Sequence, residues 1–118
     1  MPSKEYFIEQ IERELSISRN ALKAGREAIA RVSARRAAGR AIAWLLTVHP
    51  RPGWGADAIS QLVHLRDDVS FPPLVREAAR RLSTKISDRF VYPFTTNPIE
   101  DAQIVIDHVA GTMNEDPG

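Results

Sequence analysis

The apolar residues of this chain recur mostly at helical spacing, every three to four positions, and the pattern predicts five helices. The longest uninterrupted stretch runs from Glu27 to Val48, and we expect it to be the central helix. At about 100° per residue its small and apolar side chains form two faces, so two of its sides should be packed. One face contains Ala28, Val32, Gly39, Ala43 and Leu46, and the other contains Ala30, Ala34, Ala37, Ala41 and Leu45.

A first helix precedes the central one. Residues 4–24 place Phe7, Ile11, Leu15 and Leu22 on one side. Gly25 should end this helix and start a tight reversal, because glycine readily takes the left-handed conformation found there. The two helices are therefore predicted to form an antiparallel hairpin.

Three shorter helices are predicted after the loop at residues 49–55, whose two prolines and two glycines cannot continue a helix. Asp57 can cap a short helix that ends near residues 66–68, with Ile59, Leu62 and Val63 inward. The next helix begins around residues 70–73 and has a long apolar stripe: Leu74, Val75, Ala78, Ala79, Leu82, Ile86 and Phe90.

The start of the last helix carries the strongest local signal. In the run from Asn97 to Glu100, a cap residue is followed by proline at the first helical position and glutamate at the third. Gly111 is predicted to end this helix, whose inward residues would be Ala102, Val105, Ile106 and Val109.

These elements predict an all-α protein. A length of 118 residues suits one domain, and neither strand alternation nor an internal repeat is visible. We predict an up-and-down antiparallel four-helix bundle with an additional short helix, as a single domain over residues 1–113. Residues 89–94 should form an ordered loop on the bundle, and residues 114–118 a flexible tail.

Composition narrows the functional classes. Sixteen basic and fifteen acidic side chains give a formal charge of +1, which provides no global field to attract nucleic acid or anionic lipid. The absence of cysteine excludes disulfides, thiolate nucleophiles and zinc ribbons, and fits a reducing compartment. No apolar run approaches the roughly 18 residues of a membrane span, so we expect a cytoplasmic protein without membrane contact.

The usual catalytic arrangements are not visible. No group of histidine, aspartate or glutamate has metal-ligand spacing, no phosphate-binding loop is present, and no serine has a nearby base. We therefore expect no cofactor and no metal. Lone histidines are commonly structural, and His49, next to Pro50, could cap the C-terminus of the central helix.

The arginines of the central helix are the best functional lead. Arg31 and Arg35 fall in one seam between its two faces, and Arg36 and Arg40 fall in the other. A guanidinium matches the geometry of phosphate, and two arginines one helical turn apart can hold one anion together. Two structural alternatives compete: Arg35 could pair with Glu12 or Glu14, or the aliphatic stems could cover the helix surface.

A second basic run, from Arg76 to Arg89, is interrupted by Glu77 and Asp88, which is typical of a solvated helix face. A nucleotide or nucleic-acid groove would follow if the two runs adjoin in space. The candidate anion-binding residues are Arg31, Arg35, Arg36, Arg40, Arg81, Lys85 and Arg89. Trp44 and Trp54 flank the loop and either close the core or belong to a homodimer contact.

The order of these elements resembles the HEPN domain family. The run at residues 32–38, followed by residues 39–46, is similar to the signature of that family's second helix, with Arg35 and Arg36 where relatives carry two glutamines. Gly25 matches the family's glycine between the first two helices, and residues 56–62 its short helix, without the threonine and histidine. Tyr92-Pro93 and residues 100–102 are similar to its C-terminal elements, with Val91 in place of an arginine.

The resemblance implies an all-α bundle, frequent dimerisation, and either nucleotide binding, partnership with a nucleotidyltransferase in a toxin-antitoxin pair, or RNA cleavage. Members that cleave RNA carry an arginine about four to six residues before a histidine, and none of His49, His64 and His108 has one at that distance. We therefore expect a non-catalytic, dimeric module that binds a nucleotide, RNA or a nucleotidyltransferase. The alternatives are a ribonuclease with a non-standard pair, such as Arg40 and His49, and an oligomerisation scaffold without a ligand.

Overall fold

The computed structural model describes residues 2–85 and 93–115, and five α-helices account for most of them. They are α1 (Lys4–Lys23), α2 (Glu27–Val48), α3 (Ala58–Asp67), α4 (Pro73–Ser83) and α5 (Pro98–Glu115). No strand occurs within the described ranges, and the all-α class is confirmed there. The Cα radius of gyration is 13.6 Å, close to the value of about 13.5 Å expected for a compact chain of this length.

The hairpin of α1 and α2 forms as predicted. Gly25 has a φ of +74°, and the N–H of Arg26 donates to the carbonyl of Ala21 at 2.8 Å, which closes the turn. Buried side chains of α1, including Phe7, Ile11 and Leu15, belong to the core. Ser18 is fully buried in the same row, and its hydroxyl donates to the carbonyl of Ala30 at 2.7 Å.

The central position of α2 follows from its small side chains. It contacts α1, α3, α4 and α5. The alanine-rich face predicted to be packed is almost fully buried, so that prediction is confirmed. The prediction for the other face is wrong in part, because Val32 remains 40% exposed while Gly39 is buried.

Two predicted helix caps are present with the expected geometry. Asp57 Oδ1 accepts the N–H of Ser60 at 2.9 Å at the start of α3. At the start of α5, Asn97 Oδ1 accepts the N–H of Glu100 at 2.8 Å, and Glu100 Oε1 accepts the N–H of Asn97 at 3.2 Å. This reciprocal pair is a capping box, and it satisfies two backbone donors that the helix itself cannot.

Several predicted boundaries and inward positions are wrong. Ile59 and Leu74 are 42% and 64% exposed, because each lies in the first turn of its helix with the side chain outside the core. The helix α4 ends at Ser83, before the predicted stripe does, and Ile86 and Phe90 lie outside the described residues.

Gly111 was predicted to end the last helix, but α5 continues through it to Glu115. A glycine inside a helix costs only about 1 kcal/mol, which neighbouring turns can offset. Asn114, placed in the predicted tail, lies in the last turn of α5, where its side-chain oxygen accepts from Lys4 Nζ at 3.2 Å. Residues 116–118 lie outside the described ranges.

The two tryptophans, His49 and His64 lie in or beside the loop between α2 and α3. Trp44 and Trp54 are 6% and 7% exposed and belong to the core, which confirms the core interpretation for both. The Trp54 ring stacks on His64 with centroids 5.8 Å apart. His49 is the C-cap residue of α2, and its N–H donates to the carbonyl of Leu45 at 2.9 Å.

A buried ion pair joins α4 to α5. Asp101 is fully buried and receives three hydrogen bonds from the guanidinium of Arg81, at 2.8 to 3.1 Å. The hydroxyl of Thr96 donates a fourth at 2.8 Å. Removing one partner of such a pair leaves the other charge buried and uncompensated. This lowers the free energy of unfolding more than replacing both partners by apolar side chains does.

We therefore expect Arg81→Met to lower the free energy of unfolding by about 3–5 kcal/mol, measured by urea denaturation. The matched control is Arg80→Met on the same helix. Arg80 pairs with Glu77 at the surface, at 3.1 Å, so its loss should cost about 0.2–1 kcal/mol. Equal losses in the two variants would contradict the structural role of the buried pair.

Candidate anion-binding site

Of the two arginines of the first predicted seam, Arg31 is buried and Arg35 is half-buried. Arg31 is only 3% exposed. Arg35 donates from Nε to the carbonyl of Leu82 at 2.6 Å and from Nη2 to that of Thr84 at 3.3 Å. These carbonyls end α4, where a cation also complements the negative end of the helix dipole.

The suggested pairing of Arg35 with a glutamate of α1 is not what the structure shows, because the guanidinium turns toward α4. Glu14 instead has one carboxylate oxygen, Oε2, that is buried and has no hydrogen-bond partner among the described residues.

The second basic run divides between structural and surface positions. Arg81 is engaged with Asp101, and Arg76 Nε donates to the carbonyl of Arg66 at 3.0 Å, at the C-terminal end of α3. Lys85 is exposed, and Arg89 lies outside the described residues. The two basic runs meet where Arg35 contacts the end of α4. There its guanidinium donates to backbone carbonyls, so this contact does not provide the predicted nucleotide or nucleic-acid groove.

Arg36 and Arg40 are placed differently from Arg35 and Arg81. Both are exposed on α2, and neither forms an ion pair within the described ranges. They line a pocket of about 210 Å³ between α2 and the start of α3. The other lining residues are Gly39, Ala43, Ala56, Asp57, Ala58 and Gln61.

The pocket depends on Gly39, which lies between the two arginines. A Cβ atom at this position would be 2.8 Å from the Cβ of Ala58 and 3.1 Å from its Cα. The missing side chain therefore allows α3 to approach α2 and to place its first turn beside Arg36 and Arg40. The sequence contained a signal for this contact. A glycine inside an alanine-rich helix costs about 1 kcal/mol relative to alanine, so its presence there indicates that another element approaches closely.

The start of α3 adds partial positive charge to the pocket. The first N–H groups of a helix have no acceptor within it, and the helix dipole is positive at this end. Asp57 adds a negative charge. Hydrogen bonds from the backbone N–H and the hydroxyl of Ser60 hold the pKa of its carboxyl below the usual value, so it is ionised at neutral pH.

These groups fit the binding of an anion better than proton transfer. Among the described residues no histidine lines the pocket, and a carboxylate of lowered pKa such as Asp57 is a weak base. Arg40 and His49, the pair considered for ribonuclease chemistry, are separated by about 13 Å along α2. No group of three or more metal-ligating side chains was found in residues 2–85 and 93–115, and no described helix is long and apolar enough to cross a membrane.

The Gly39 contact can be tested by adding a single methyl group. Alanine at an unhindered helical position should stabilise by up to about 1 kcal/mol, but Gly39→Ala forces α3 away and should cost about 1–3 kcal/mol. The matched control is Gly111→Ala on α5, where no atom of a described neighbouring residue lies within 4 Å of the added Cβ. Urea denaturation of both variants should give changes of opposite sign, and a gain in both would show that α3 does not press on Gly39.

Comparisons with protein-family models, with curated proteins and with solved structures find no match to this chain, so the HEPN resemblance stays a prediction.

Proposed function

We propose that this chain is a non-catalytic helical module that binds the phosphate group of a nucleotide or of RNA between Arg36, Arg40 and the first turn of α3. One observation carries the proposal. Two exposed arginines one helical turn apart, without ion-pair partners among the described residues, lie over a pocket that the start of a second helix closes.

The size and chemistry of the pocket suit the phosphate group of a nucleotide or RNA better than its base or sugar. Its volume of about 210 Å³ is below the roughly 300–1,000 Å³ of sites that enclose a drug-sized molecule. Charge-assisted hydrogen bonds from two guanidinium groups are strong and directional. We therefore expect recognition of a phosphate or diphosphate, with little discrimination between bases.

The remaining parts of the interpretation depend on the HEPN resemblance. They are the homodimer and a nucleotidyltransferase partner in a toxin-antitoxin pair. The antiparallel four-helix bundle, with α3 as the additional short helix, is proposed from the order of the helices and not from the resemblance. The phosphate site is supported independently by the placement of Arg36 and Arg40, so it can be tested without them.

The sharpest test changes the charge of the pocket in both directions. Arg36→Gln with Arg40→Gln removes two charge-assisted contacts and should weaken binding about tenfold or more. Asp57→Asn keeps a good helix cap but removes the negative charge beside the phosphate, so it should tighten binding a few-fold. Binding is measured by calorimetry with ADP and by fluorescence anisotropy with a labelled single-stranded oligoribonucleotide.

The control is Arg19→Gln, an exposed arginine of α1 that does not line the pocket. It should leave ADP binding unchanged and reduce RNA binding only through net charge. For RNA, the double variant should also lower the slope of log affinity against log salt by about one per arginine lost. Equal effects of Arg19→Gln and the double variant, or no binding of either ligand, would overturn the proposal.

A further inference from the structure

A second candidate binding surface lies on the outer side of the α1–α2 hairpin, and unlike the phosphate pocket it is mainly apolar. Ile17, Ile29 and Val32 are 43%, 46% and 40% exposed. They line two shallow, adjoining hollows of about 300 and 420 Å³ that share Ile17 and Ile29. We call these two hollows the hairpin groove. Contiguous exposed apolar residues of this kind mark interaction surfaces more often than isolated ones do.

The groove has a cation at each end. Arg26 lines the hollow near the turn and Arg36 lines the other, and both side chains are exposed. Arg26 is the N-cap residue of α2 and precedes Arg36 by ten residues, which is about 15 Å along the helix axis. Among the described residues, no aspartate or glutamate lines either hollow. As far as the structure describes the chain, this surface has a mainly aliphatic floor and positive ends, without negative charge of its own.

We propose that the hairpin groove binds an amphipathic helix of a partner protein, with apolar side chains on the floor and carboxylates paired with Arg26 and Arg36. A groove between two antiparallel helices can seat a third helix by ridge-into-groove packing. Glutamates about eleven residues apart lie on the same face of a helix and are separated by roughly 16 Å, which matches the two arginines.

Other occupants fit this surface less well. A two-fold dimer would place the groove against its own copy, so Arg26 and Arg36 would meet arginines with no lining carboxylate to pair with. A nucleic-acid base stacks best on aromatic or guanidinium planes, whereas the floor is aliphatic. Charge complementarity thus selects an acidic, apolar helix.

The two proposed surfaces share Arg36, whereas Ile29 and Arg26 line only the groove and Arg40 lines only the phosphate pocket. The test therefore changes Ile29 and Arg26 and leaves Arg36 and Arg40 intact. Loss of phosphate binding in Arg40→Gln and loss of helix binding in Ile29→Asp are then separate outcomes.

The probe is a fluorescent, stapled peptide of roughly 18 residues with leucines at helical spacing and two glutamates about eleven positions apart. A matched peptide carries lysine in place of both glutamates. Fluorescence anisotropy with the full chain should show saturable binding of the glutamate peptide, about tenfold tighter than the lysine peptide. Ile29→Asp should weaken it about tenfold or more, while the control Ile59→Asp, at a similarly exposed isoleucine outside the groove, should not.

Arg26→Glu provides a second test that does not depend on the fold tolerating Ile29→Asp, because Arg26 is exposed. It should shift the preference toward the lysine peptide. Equal binding of the two peptides by the unchanged protein, or an unchanged preference in Arg26→Glu, would overturn the proposal. So would sedimentation showing a dimer that Ile29→Asp dissociates, since a second copy would then occupy the groove.

Discussion

The close packing of α2 is the constraint on which the rest of the structure depends. Its buried alanine face adds little side-chain bulk where α1 and α5 contact it, and Gly39 leaves room for α3 to approach. Four helices therefore surround one helix. Between Ile29 and Arg40, the exposed residues of α2 lie along one strip that contains Ile29, Val32, Arg36 and Arg40. Both proposed binding surfaces include residues of this strip.

The arginines of this protein serve three different physical purposes. Arg35 and Arg76 satisfy carbonyls at the ends of helices, and Arg81 compensates a buried carboxylate. Each of these guanidinium groups is held by groups of the chain itself. Arg36 and Arg40 have no such ion pair among the described residues, so their charge is available to a ligand. An arginine in this protein is thus structural where a neighbouring helix offers it a carbonyl or carboxylate oxygen, and it is available to a ligand where no such acceptor is offered.

Local sequence signals predicted the elements well, because caps and turns depend on a few adjacent residues. Gly25, Asp57 and the capping box at Asn97 all form as expected. It was harder to predict which side chains in the first turn of a helix point into the core. The direction of the Ile59 and Leu74 side chains depends on how the whole helix packs against its neighbours.

The candidate site could be predicted only in part. Helical spacing separated the Arg36 seam from the Arg35 seam, but it could not show that Arg35 reaches α4 or that Arg81 meets Asp101. Both contacts join residues far apart in the chain. The contribution of Asp57 and the start of α3 was missed for the same reason, because it depends on the approach of α3 at Gly39.

The most direct test of the central claim is a titration of the isotopically labelled protein with pyrophosphate, followed by two-dimensional NMR of its N–H groups. The account predicts saturable shifts of the backbone amides at residues 56–61 and of the Nε–H groups of Arg36 and Arg40, with the Nε–H groups of Arg35 and Arg81 unchanged. Shifts centred on Arg35 and Arg81, or spread evenly over all exposed arginines, would contradict the assignment of the exposed strip of α2 as the anion site.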